Sequence, residues 1–209
     1  MSDIRNCAQC GKAFTPRREH AQFCSPGCRM AWNREHAGGV AAAPVAAIDW
    51  SVAAMAEATG RVAWAWDASR AAAAVGESVW WITLIDATLV RYHPRDYEIT
   101  LAKRPPAHRL QLEETLAGLR YVRNLLGCST DPAELIMSGD SGGWRWRPLP
   151  RPALTGMSPR ARKWETARYE AYQARLADRD VAGVFAQCAE FLDEAASGKS
   201  AGAGRAASG

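Results

Sequence analysis

The sequence predicts a mainly α protein in which a small cysteine-rich unit precedes an all-α helical bundle. Three observations carry that expectation. Two cysteine pairs, Cys7/Cys10 and Cys24/Cys28, fall within the first 30 residues. Beyond them, apolar residues recur at alternating spacings of three and four, the period of a helix with one buried face. Ser-Pro and Asp-Pro dipeptides, which suit the cap and first position of a helix, stand at 25–26, 131–132 and 158–159.

The cysteine pairs come first in the chain. Gly11 follows the first pair and allows a tight turn that aims backbone amides at the sulfurs. Cys24 and Cys28, four apart, share one face of a helical turn that Ser25 can cap. The positive end of that helix favours a negatively charged thiolate cluster. Cys7, Cys10, Cys24 and Cys28 are therefore expected to hold one structural Zn²⁺, tetrahedral and with no open position. His20 is a weaker ligand candidate than any of the four.

The string Cys7-Ala-Gln-Cys10-Gly11, continued by Phe23-Cys24-Ser25-Pro26-Gly27-Cys28-Arg29, resembles the small treble-clef zinc fingers of bacterial and phage proteins. The resemblance spans Cys7 to Arg34 and implies a finger over residues 1–36. Such fingers occur in nucleic-acid-binding proteins, nuclease-associated modules and protein-interaction adaptors alike. The resemblance therefore implies a metal more firmly than a function.

A chain of 209 residues can hold this finger and one medium domain with a real core. No continuous apolar run reaches the length of a membrane span, and the N-terminus does not read as a signal peptide. Six cysteines, four of them in the metal motif, suit a reducing compartment, so the expected location is the cytoplasm. Cys128 and Cys188 are expected to be buried free thiols. The formal charge of +4 falls to about +2 once four thiolates and one zinc are counted. Distribution matters more than the sum. Residues 145–179 hold nine arginines and lysines against Glu165, Glu170 and Asp178, a local balance of +6.

Residues 37–47 read as an Ala/Gly/Pro linker and 48–196 as the bundle. Ile48, Val52, Met55, Thr59, Val62 and Trp66 form a helical seam, expected to continue through Ala71–Ala74 and end near Gly76. Residues 79–90 are apolar almost all round. Their residue types also suit a strand, but twelve residues is long for one, and a central helix is the preferred reading. It would leave Asp86 at least partly buried and in need of a partner, with a nearby arginine the first candidate. Pro94 breaks the chain before another helical piece at 95–103. Leu112, Leu116, Leu119, Val122 and Leu126 share one face of the next helix, closed by Gly127. Asp131-Pro132 opens a short helix expected to reach Met137. Residues 138–157 read as an irregular Trp/Arg/Pro arm with one short edge strand. Ser158-Pro159 starts a helix to Ala177, Asp180 caps the last one, and 197–209 reads as a disordered tail.

Function rests on three constellations besides the metal site. Trp144, Arg145, Trp146 and Arg147 alternate rings and guanidinium groups, which could stack on bases or simply pin the arm to the bundle. On the helix after Ser158, Trp164, Arg168, Tyr172, Arg175 and Arg179 fall on one arc and could meet phosphates. Arg17, Arg18 and Arg29 add cations on the finger. A catalytic site is harder to find. The four histidines form no metalloprotease or hydrolase signature, and only Arg29–His36 has the spacing that helical-bundle ribonucleases use. The leading reading is a non-catalytic zinc-binding protein that binds nucleic acid. A protein-interaction adaptor is the alternative, and a nuclease-like enzyme the third. The alanine- and arginine-rich composition suits a bacterial genome of high GC content.

Overall fold

The computed structural model describes residues 4–16, 21–36, 45–128, 130–139 and 142–206, without the side chains of 33–36, 45–47 and 198–206. The chain divides into two compact units, Met1–Pro44 and Val45–Gly209. In the first, β1 (Arg5–Asn6) pairs antiparallel with β2 (Ala13–Phe14), and helix α1 spans Pro26–His36. Phe23 and Trp32 pack with ring centroids 5.9 Å apart. Arg17, Arg18, His20 and residues 37–44 lie outside the described residues.

The second unit is a helical bundle built around α3 (Ala68–Tyr92), which carries the apolar stretch 79–90. Val79, Ile82, Ile85 and Leu89 are fully buried there, at positions that recur at helical spacing. Helix α2 (Val45–Ala63) packs on α3 and on α7 (Val181–Ala206), while α4 (Pro94–Ala102) packs on α3 and α7. Helix α5 (Pro106–Gly127) packs on α3 and, closely, on α6 (Pro159–Arg175). Gly118 makes that last approach possible. A Cβ there would stand 2.8 Å from Leu176 Cδ1 and 3.1 Å from the Tyr172 Cα.

Asp86 is wholly buried and has the arginine it needs. Its carboxylate accepts from Arg120 Nε at 3.0 Å, from a second Arg120 nitrogen, and from the Tyr97 hydroxyl at 3.0 Å. Ser158 caps α6 by accepting from Ala161 N at 3.2 Å, and Asp180 caps α7 by accepting from Gly183 N at 2.6 Å.

Several boundaries differ from expectation, each for a local reason. The helix that began on the seam at 48 stops at Ala63, and Asp67 caps a new one by accepting from Arg70 N at 2.8 Å. Trp66 thus leaves the seam and is 75% exposed, and Gly76 lies within α3. Asp131 opens only a 3-10 turn, Pro132–Leu135, because Ile136–Ser138 is drawn into strand β3 opposite β4 (Trp144–Trp146). Residues 45–47 belong to α2 rather than to a linker. The expected disordered tail is instead helical as far as Ala206, continuing α7 without a break. Cys188 is buried, but Cys128 follows the end of α5 and is exposed.

Helix α3 is also long and apolar enough, by length and composition, to cross a membrane. A search for unbroken apolar runs misses it because Glu77 and Asp86 interrupt the stretch. It packs on α2, α4, α5 and α7, as the central helix of a bundle does.

Candidate metal centre and nucleic-acid interface

The four cysteines meet. Each can offer one sulfur, and all four sulfurs lie within 4.8 Å of one another. Cys10 Sγ stands 3.7 Å from Cys24 Sγ, which stands 3.5 Å from Cys28 Sγ. Four sulfurs bound tetrahedrally at about 2.3 Å from one zinc ion would stand ~3.8 Å apart, so the set fits such an ion with little adjustment. The local sequence explains the placement. Gly11, at φ +69°, turns the β1–β2 connection so that its N–H reaches Cys7 O at 2.9 Å. Ser25 Oγ accepts from Cys28 N at 3.1 Å and starts α1 beside the cluster.

The sulfurs shift one another's protonation. Burial resists ionisation of Cys7, but amide donors led by Cys24 N, 3.4 Å from its sulfur, bring the thiol down to about 6. Contacts with Cys28, then Cys10 and Cys7, push the Cys24 thiol up to about 12, because one more negative charge among crowded sulfurs is unfavourable. A bound divalent ion would supply the missing positive charge.

The Trp-Arg arm is docked on the bundle. Trp146 is fully buried, edge-on to Phe185 with centroids 5.6 Å apart, and its backbone N–H donates to Arg179 O at 3.0 Å. Trp144 donates from Nε1 to Ala65 O at 2.8 Å. Arg145 donates to the carbonyl of Asp178, and Arg147 to that of Ile136 at 3.2 Å. Trp146 therefore has no face free for a base, and Trp144 anchors a loop. Strand pairing with β3 decides this, and a four-residue motif does not reveal it.

The expected arc on α6 is only partly available. Tyr172 is wholly buried, with its hydroxyl donating to Arg147 O at 2.5 Å. Arg175 Nε donates to Glu114 at 2.6 Å, and Arg179 lies beyond the helix end. Arg168 and Trp164 remain, the latter 57% exposed. That arc includes the edge of α6 that faces α5. Further round, the first turns carry exposed Arg160, Arg162 and Lys163, with exposed Arg151 in the segment before them. Among the described residues none of Arg151, Arg160, Arg162, Lys163 and Arg168 forms an ion pair. Those three first-turn cations are legible in the sequence as part of the +6 stretch at 145–179, though not as a surface. Arg29 is exposed on α1.

Five of the nine tryptophans are at least half exposed: Trp50, Trp64, Trp66, Trp80 and Trp164. Trp64 and Trp66, 85% and 75% exposed, flank the Ala65 carbonyl that Trp144 holds. Arg104 and His108 line a polar hollow of about 230 Å³ with Gln187 and Glu190, but Glu194 engages the Arg104 guanidinium at 3.0 Å. No protein-family model, curated protein or solved structure matches the chain.

Proposed function

We propose that this is a non-catalytic zinc-binding protein that binds nucleic acid through the first turns of α6 and the segment before it. The observation that carries the reading is the run of cations from Arg151 to Arg168 that forms no ion pair among the described residues. Arginines and lysines left unpaired by acids are what a phosphate backbone neutralises. The metal is zinc because an all-thiolate set of four with tetrahedral spacing is its usual structural site, and it stabilises the small first unit. Six free cysteines suit the cytoplasm.

Ultraviolet crosslinking of the full chain to a bromouracil-substituted oligonucleotide, followed by peptide mapping, tests this reading. Crosslinks should fall on peptides from 147–168, with Trp164 prominent. Crosslinks confined to other segments, or none above background, would overturn it.

One observation favours a second reading, a protein-interaction adaptor. Trp64 and Trp66 present two large rings to solvent on a loop held by Trp144, and the cations beside them are already paired. Arg61 meets Glu57 and Glu77, and Arg70 meets Asp67. A neutral aromatic surface suits a protein better than a phosphate chain. A partner captured by the parent and lost with Trp64→Ala, in a chain that does not bind oligonucleotide, would make the adaptor the function.

A further inference from the structure

A groove of about 820 Å³ runs between α3, the end of α5 and the segment before α6, lined by Trp80, Arg123, Asn124, Cys128, Met157 and Glu165 among others. Its chemistry differs from that of the basic surface beside it. Trp80 is half exposed, and the Arg123 guanidinium lies 4.6 Å over its ring, so ring and cation form one stacked pair in the groove wall. Both kinds of plane stack on nucleobases. Asn124 is exposed and brings an amide with donors and an acceptor, and Glu165 brings acceptors. One cation and one carboxylate leave the groove near neutral.

Two of the unpaired cations border it. Arg162 donates to the backbone oxygen of Met157, a residue of the groove wall, at 3.3 Å. Arg162 and Arg168 flank Glu165 three residues to either side on α6, so they border the wall that Glu165 helps to form. A near-neutral aromatic groove with a cationic border matches the division of a nucleotide into base and phosphate. An apolar peptide would leave that border unused.

We propose that this groove takes an unpaired base of a single-stranded nucleic acid, stacked on the Trp80–Arg123 wall, while Arg162 and Arg168 meet the neighbouring phosphates. The inference rests on the nucleic-acid reading above and deepens it to a preference for single strands. A duplex keeps its bases stacked on one another and could use only the border.

The test compares anisotropy titrations of full-length parent, Trp80→Ala and Trp80→Phe with a mixed-sequence single strand and a blunt-ended, loop-free duplex of equal length, each as RNA and as DNA. Trp80→Ala should weaken single-strand binding about tenfold and change duplex binding less than twofold, with Trp80→Phe recovering most of the loss. Circular dichroism of each variant checks the fold. Maleimide labelling of Cys128, mapped by mass spectrometry, gives an independent readout, since the single strand should slow it and the duplex should not. Equal losses on both forms, or no loss with undiminished Cys128 labelling, would overturn the base site while leaving α6 binding intact. Salt-independent binding, or none by the parent, would overturn both readings. Protection of Cys128 by an apolar peptide but by no oligonucleotide would assign the groove to a protein partner.

Discussion

Arg120 on α5 reaches across to Asp86 on α3 and holds the carboxylate in the middle of the bundle, where Tyr97 donates a further hydrogen bond. The pair joins two helices that also meet through apolar side chains and through Arg123 over the Trp80 ring. Its energetics are asymmetric, because Asp86 is fully buried while Arg120 is 38% exposed, so removing Arg120 strands a buried carboxylate whereas removing both leaves apolar packing. Arg120→Ala should cost about 3–5 kcal/mol in urea unfolding. Asp86→Leu combined with Arg120→Met should recover most of that loss. An Arg120→Ala variant within about 1 kcal/mol of the parent would show that the pair is solvated enough to matter little.

Much of this architecture was legible because its signals are local. Ser158 before Pro159 and Asp180 before Val181 cap helices as their chemistry predicts, and the need of Asp86 for an arginine followed from its apolar flanks. The cysteine cluster was legible because two short spacings set it up. What escaped depends on neighbours far away in sequence. Trp146 is buried by pairing with β3 and by Phe185, and Tyr172 by the close approach at Gly118. Trp66 fits a helical seam until Asp67 caps a new helix behind it. The Trp80–Arg123 groove joins helices whose contact no periodicity encodes.

Gly118 and Gly60 offer a paired test of the packing. Gly118→Ala would press a methyl group against Leu176 and the backbone of Tyr172, at a cost of about 1–3 kcal/mol. Gly60→Ala adds its methyl in the exposed interior of α2, where nothing lies within 4 Å, and should stabilise by up to about 1 kcal/mol. Thermal unfolding should move in opposite directions for the two. Equal shifts would contradict the α5–α6 packing.

Alkaline pH should weaken the bundle. Burial raises the pKa of Tyr97, with Asp86 adding to it, and burial likewise raises those of Tyr172 and Cys188. Above the ordinary values of 9.0 for cysteine and 10.0 for tyrosine, the unfolded chain has lost protons that the native one keeps. The native state then binds more protons, so stability falls as pH rises, while more than a unit below pH 9 these groups contribute almost no slope. Tyr97→Phe should flatten the fall above pH 10. Stability that stays constant from pH 9 to 11 would contradict the burial of all three groups.

The metal should matter to one unit only. Purified protein should carry one zinc by elemental analysis. Cys24→Ser should lose it and unfold the first unit, which is too small to fold on apolar burial alone. Helicity of the second unit should persist, since its core draws on residues from Met55 to Ala195. A metal-free parent, or a variant whose whole helical signal collapses, would contradict the two-unit description.

The salt dependence of oligonucleotide binding tests the central claim most directly. Log K for the parent should fall linearly with log[salt], with a slope of about −0.7 to −0.9 per phosphate contact. Replacing Arg160, Arg162 and Lys163 together by alanine should flatten that slope by about two to three units and weaken binding to every sequence alike. A parent whose affinity ignores salt, or a triple variant with the parent's slope, would contradict nucleic-acid binding by α6.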